Sequence, residues 1–168
     1  MRDLLILGII VFLSFVALRR PWIGAMLWTW LSIMNPHRYT YGFAYSMPVA
    51  AMAGASTLIG LIFTRERQSP FKGAPVLFFV LFFIWMTITW RLGIDPAGDY
   101  ELWDKVMKID LMILVTLALV INKYQIVAFI SICVGSLAVL GSKGGLFTIL
   151  HAGNYKVWGP PGSYIEGN

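Results

Sequence analysis

The sequence predicts an all-α fold, a polytopic transmembrane helix bundle of about six spans, on three observations. Hydrophobic residues make up 58% of the 168-residue chain and charged residues 12%, where a soluble domain carries about 45–50% and about 25%. The apolar residues gather in runs of helical length, and the polar residues gather between them. Six tryptophans, Trp22, Trp28, Trp30, Trp85, Trp90 and Trp103, lie at or near the ends of runs, where an amphipathic indole favours the headgroup region. A water-soluble unit of this length needs a polar shell that these residues do not supply.

The runs follow in order. Residues 4–18 are preceded by the neutral pair Arg2-Asp3 and followed by Arg19-Arg20-Pro21 where small residues would mark a cleavage site, so they read as a retained helix and not a signal peptide. Residues 22–34 are short for the hydrocarbon core of roughly 30 Å, so the first two runs are expected to form a tight, tilted or re-entrant hairpin. Residues 49–63 follow Pro48, and residues 75–90 carry no charge. Residues 109–121 and 126–140 are separated by Asn122-Lys123-Tyr124-Gln125, a connection that suits adjacent antiparallel helices. Residues 142–168 read as a polar connection on the expected outer side. The pairs Ala50/Gly54, Ala51/Ala55, Ser56/Gly60 and Ser131/Gly135 place small residues four apart, a spacing that lets helix backbones approach closely.

Orientation rests on the connections. One side receives Arg19, Arg20, Arg65, Arg67, Lys72 and Lys123, concentrated in short turns. The other receives Arg2, Arg38, Arg91, Lys105, Lys108, Lys143 and Lys156, diluted in long connections. The short basic turns are therefore expected in the cytoplasm.

The +5 formal charge does not form a patch of its own and points to anionic or phosphorylated lipid instead of nucleic acid. One cysteine, Cys133, sits in an apolar run, which excludes an intrachain disulfide and a multi-cysteine metal site. No Walker loop, HExxH or GxSxG occurs, and no cofactor is expected. The expected outer side carries His37, Arg38, Arg91, Asp95, Asp99, Glu101, Asp104, Lys143, Lys156 and Glu166. Of these, His37, Arg38, Arg91 and Lys156 are the candidate ligands of a lipid-linked diphosphate, which cations hold by charge-assisted hydrogen bonds and Arg holds as a bidentate fork. Carboxylates on the same side are candidates for activating a sugar hydroxyl as general base. Asp110, just inside the fifth run, needs a partner if it enters the bilayer, and Lys105, Lys108 and Lys143 are the cations considered.

The segments MRDLL, LRRPWIGAMLWTWLSIMNPHRYTYGFAY and VWGPPGSYIEGN together resemble the O-glycosylation ligases associated with exosortase systems, relatives of O-antigen ligases and polymerases. The resemblance covers essentially the whole chain, and RRPWIG, WTWLSIMNPHR and WGPPGSYIE are its most specific parts. It implies a multi-pass protein of the bacterial inner membrane, a metal-independent glycosyltransferase that moves a glycan from an undecaprenyl diphosphate carrier to a periplasmic acceptor. In this branch the implied acceptor is a protein, and the resemblance makes the expected outer side, with residues 142–168, periplasmic. Members of the family are much longer, and their large periplasmic loop and catalytic histidine follow the part that this sequence matches, so neither His37 nor His151 inherits that role. The chain is accordingly expected to be the N-terminal membrane portion of such a ligase, inactive alone. Lys156 stands near the place where the broader family commonly has Arg. The alternative is a small transporter or channel subunit, or a non-catalytic membrane scaffold. Against a transporter, polar groups inside the runs reduce largely to Thr87, Thr89, Ser131 and Ser136.

Overall fold

The computed structural model describes residues 2–39, 43–71 and 73–155. Among them the chain is helical with no strand: α1 (Arg2–Arg19), α2 (Pro21–Met34), 3-10 turns at Pro36–Tyr39 and Phe43–Ser46, α3 (Val49–Phe63), α4 (Ala74–Arg91), α5 (Tyr100–Leu119) and α6 (Lys123–Leu150). Two of these, α4 and α6, are long and apolar enough to cross a membrane. At about 1.5 Å per residue α4 is about 27 Å long and α6 about 42 Å. The first four helices match the apolar runs to within two residues at either end.

The last two helices exceed their runs, for different reasons. α5 begins at Tyr100 instead of 109 because Glu101/Lys105 and Asp104/Lys108 place acid four residues before base, a spacing that supports a helix in water. The second pair is formed, as a Lys108–Asp104 salt bridge. α6 continues through residues 142–150, where the sequence predicts a connection. Helical Gly144 and Gly145 each cost only about 1 kcal/mol relative to Ala, and the apolar stretch Leu146–Leu150 follows them. The helix ends at Leu150 with His151 as its cap, and left-handed Ala152 (φ 51°) and Gly153 (φ 76°) turn the chain.

The chain divides into two compact units, residues 1–64 with 122–168, and residues 65–121. In the first, α1, α2 and α3 pack on one another and α2 also packs on α6. The break between α1 and α2 is the single residue Arg20, after which Pro21 opens the next helix at a position where its missing N–H costs nothing. Ile10, Leu27, Leu31, Val49 and Ala53 form the core, with Ile6, Leu7, Leu13, Trp28, Trp30 and Met47 against it.

Small residues make this packing close. A Cβ on Gly24 would lie 2.2 Å from Thr57 Oγ1 and 2.7 Å from Ala17 Cβ, and one on Gly60 would lie 2.4 Å from the Ala17 carbonyl oxygen. The buried hydroxyl of Thr57 donates to the Ala53 carbonyl at 2.6 Å and so needs no partner across the interface. Of the small pairs expected to pack, Ser56/Gly60 and Gly54 are buried, whereas Ala51 and Ala55 are exposed. Ser131 and Gly135 are exposed too, and nothing lies within 4 Å of a Cβ built on Gly135. Where α6 begins, Gln125 Oε1 accepts from the Asn122 backbone N–H (3.0 Å) as one half of a capping box. Trp22 meets Tyr124 edge-on at 6.3 Å.

In the second unit α4 and α5 form an antiparallel hairpin. The connection before α4 folds back onto the C-terminal end of α5: the Gln68 backbone N–H donates to the Ala118 carbonyl (3.0 Å) and Gln68 Nε2 to that of Leu117 (3.3 Å). These are among the carbonyls that a helix end leaves unsatisfied. No residue of α4 is buried. The buried positions of α5 are Met107, Asp110, Met112, Val115, Ala118 and Leu119.

Candidate functional site

The residues expected to hold a diphosphate come from two places. The first is the connection from α2 to α3. Asn35 ends α2 in the left-handed conformation (φ 47°), which Asn tolerates better than most side chains, and its N–H returns to the Leu31 carbonyl at 3.0 Å. Pro36 then opens a 3-10 turn that carries His37 inward, to 6% exposure, beside buried Ala44 of the next turn at 1%. The imidazole is thus a packed group of the first unit and not part of an open cationic face. Arg38 belongs to the same turn, and its side chain, like Lys156, lies outside the described residues.

The second place is the α4–α5 end of the hairpin. Arg91, the last residue of α4, is exposed, and its guanidinium carbon lies 5.0 Å from the Trp90 ring centroid. This is the geometry of a cation–π contact. Trp90 also stacks on Trp103 of α5, with centroids 4.3 Å apart and planes at 17°. Tyr100 leans against both at 6.0 Å. Trp90 Nε1 donates to the Pro96 carbonyl at 2.8 Å, which ties the connection back to the helix end. Among the described residues Arg91 makes no ion pair, although Asp95, Asp99 and Glu101 follow it closely in the chain. Asp95 instead accepts from the Gly98 backbone N–H at 3.0 Å, an Asx turn that shapes the connection. Arg91 therefore presents a positioned, uncompensated guanidinium at the end of an apolar helix, and its planar fork suits a phosphate oxygen pair.

His37 and Arg91 belong to different units, so no two described side chains of the expected set share a unit. The structure adds residues that the sequence does not single out as a group. Trp90 and Trp103 read in the sequence as separate belt residues, yet they form one stack with Tyr100, and the signal is there: both flank a connection with turn residues Gly93, Pro96 and Gly98. Asp110 is a correction of a different sort. Lys108 pairs with Asp104, four residues before it, and Asp110 Oδ2 is buried without a hydrogen-bond partner among the described residues. Trp103 Nε1 is buried without one as well. Trp103 and Asp110 lie two turns apart on α5, with Met107 between them. α4 presents Thr87 there, whose hydroxyl lies 3.7 Å from Met107 Sδ. The described residues hold no group of three or more His, Cys, Asp or Glu that suits a metal ion.

A family model described as a family of unknown function, DUF5935, matches residues 1–159, so the chain belongs to that family. No curated protein and no solved structure matches it.

Proposed function

We propose that this DUF5935 member is the N-terminal membrane portion of an O-glycosylation or O-antigen-type ligase, a multi-pass protein of the bacterial inner membrane with about six spans. On this reading the whole protein moves a glycan from an undecaprenyl diphosphate carrier to a periplasmic acceptor, a protein in this branch, without a metal. The observation that carries the reading is the likeness of RRPWIG, WTWLSIMNPHR and WGPPGSYIE, spread over the chain, to that ligase group. Two helices of membrane-crossing length and composition support the membrane part of it. For the four shorter or more charged helices, spanning is an inference from their apolar runs.

The chemistry asked of this portion is binding and orientation. A diphosphate at the membrane surface needs cations that do not leave it when the glycan is transferred. Arg91 has the exposure and the fixed position against Trp90 that such a role requires, and it makes no ion pair among the described residues. In the first unit Arg38 and Lys156 are proposed, each by itself, as further cations for a lipid-linked diphosphate, and His37 as a buried support for the turn that carries Arg38.

The test is made in the native host. Deleting the gene should cause carrier-linked glycan to accumulate and strip glycan from its acceptor, and the native gene should restore both. Restoration with Arg91→Lys should weaken transfer, by on the order of 1–3 kcal/mol per lost charge-assisted contact, with membrane insertion unchanged. Arg38→Lys should behave alike, Lys156→Arg should be neutral or improve transfer, and Arg65→Lys should do little. Unchanged carrier-linked glycan after deletion contradicts the ligase reading, and an accompanying loss of solute flux turns it toward a transporter.

A further inference from the structure

We infer that the connection between α4 and α5 is a membrane-interface wedge: Leu92 and Ile94 insert among lipid headgroups and the first carbons of the acyl chains, on the side of the membrane where Arg91 ends α4. The inference rests on the reading of α4 as a span and adds a lipid-binding site to it.

Leu92 is 82% exposed and Ile94 107%, the latter as open as a side chain can be. Neither is loose. The Leu92 N–H returns to the Ile88 carbonyl at 2.9 Å and the Gly93 N–H to that of Trp90 at 3.2 Å. Further along, Trp90 Nε1 holds the Pro96 carbonyl and Asp95 closes its turn onto Gly98. The connection is thus a bonded turn that carries two aliphatic side chains outward while three aromatic rings pack on each other at its base. In water the favourable arrangement is the reverse, with the aliphatic groups laid over the rings.

What covers them is set by what surrounds them. α4 leads directly into the turn, is about 27 Å long, close to the thickness of a hydrocarbon core, and has no buried residue that would assign it to a protein interior. Trp90, Tyr100 and Trp103 at its end are of the type that sits at headgroup level, and Arg91 can extend its charge to water from there. Asp95, Asp99 and Glu101 fix the depth, because carboxylates do not follow the aliphatic pair into hydrocarbon. The mixture of Leu and Ile with aromatics and acids matches an interfacial lipid layer and not the bilayer centre.

The test uses the whole chain with Cys133→Ala, reconstituted in phosphatidylcholine–phosphatidylglycerol vesicles. An environment-sensitive fluorophore is attached singly to Leu81→Cys, Ile94→Cys or Ala97→Cys. Quenchers are iodide in the water and nitroxide lipids labelled near the headgroup or near the chain end. The wedge predicts that the probe at 94 is quenched most by the headgroup-level nitroxide and is several-fold less accessible to iodide than the probe at 97, while the probe at 81 responds most to the deep nitroxide. A probe at 94 that iodide reaches as freely as at 97, with the probe at 81 still deep, overturns the wedge and leaves the span standing. A probe at 81 open to iodide overturns the span itself. Shielding at 94 from iodide and from both lipids places a protein there and overturns the lipid assignment.

Discussion

In the first unit Ala17, Gly24, Thr57 and Gly60 bring three helix backbones together, whereas in the second Trp90, Tyr100 and Trp103 hold two helices together at one end of a hairpin. The first arrangement depends on the absence of side chains and the second on their bulk. Close backbone approach gives many small contacts and tolerates no added atom, which suits a platform for the turn that buries His37. Aromatic stacking fixes one end and leaves α4 without a buried residue, which suits a helix whose surroundings are lipid. Apolar character alone thus says little about where rigidity lies: α3 and α4 are both apolar, yet α3 buries six residues and α4 none.

The contrast can be broken most severely at Gly60. A Cβ there meets the Ala17 backbone oxygen, which cannot move without displacing α1, so Gly60→Ala should destabilise the first unit by about 1–3 kcal/mol or more, read by reversible unfolding in mixed micelles. Gly24→Ala should cost somewhat less, because its nearest obstacle is the Thr57 hydroxyl, and adding Thr57→Ala should return part of the loss. A strictly additive double variant would show that the two sites are not in contact. In the second unit Trp103→Leu removes the stack but keeps apolar bulk, and a loss of about 0.5–1.5 kcal/mol is expected. The same measurement on Gly135→Ala should show no loss and a small gain, up to about 1 kcal/mol from helix propensity, because the position faces open space. Lys108→Ala should be the smallest effect, below about 0.5 kcal/mol, since the pair with Asp104 is largely in solvent.

Much of this arrangement is legible in the residues. Apolar runs bounded by Arg-Pro, Asn-Pro and Met-Pro locate α1, α2 and α3 almost to the residue, because punctuation by Pro and charge is local. Hydropathy does not locate the start of α5 or the end of α6, since a helix that leaves an apolar run is supported by i,i+4 charge pairs or by tolerated glycines. Which small residues pack is only partly readable: Gly60 and Ser56 sit on the buried face and Ala51 and Ala55 do not, a distinction set by the neighbouring helices. At the candidate site, Arg91 stands at the end of its helix, as the sequence leads one to expect. His37 does not share that surface character, because the left-handed Asn35 and Pro36 turn it inward, and nothing in residue type announces that direction.

On the proposed reading the α4–α5 hairpin crosses the membrane with its basic connection inside and its aromatic end outside. Single cysteines at Ser69 and Ala97, in a Cys133→Ala background, test it directly with a membrane-impermeant thiol reagent applied to intact cells. Labelling at 97 is expected, with protection at 69 that is lost when the cells are opened. Labelling at 69 with protection at 97 would invert the orientation and move Arg91 to the cytoplasm, and equal labelling at both would contradict the crossing.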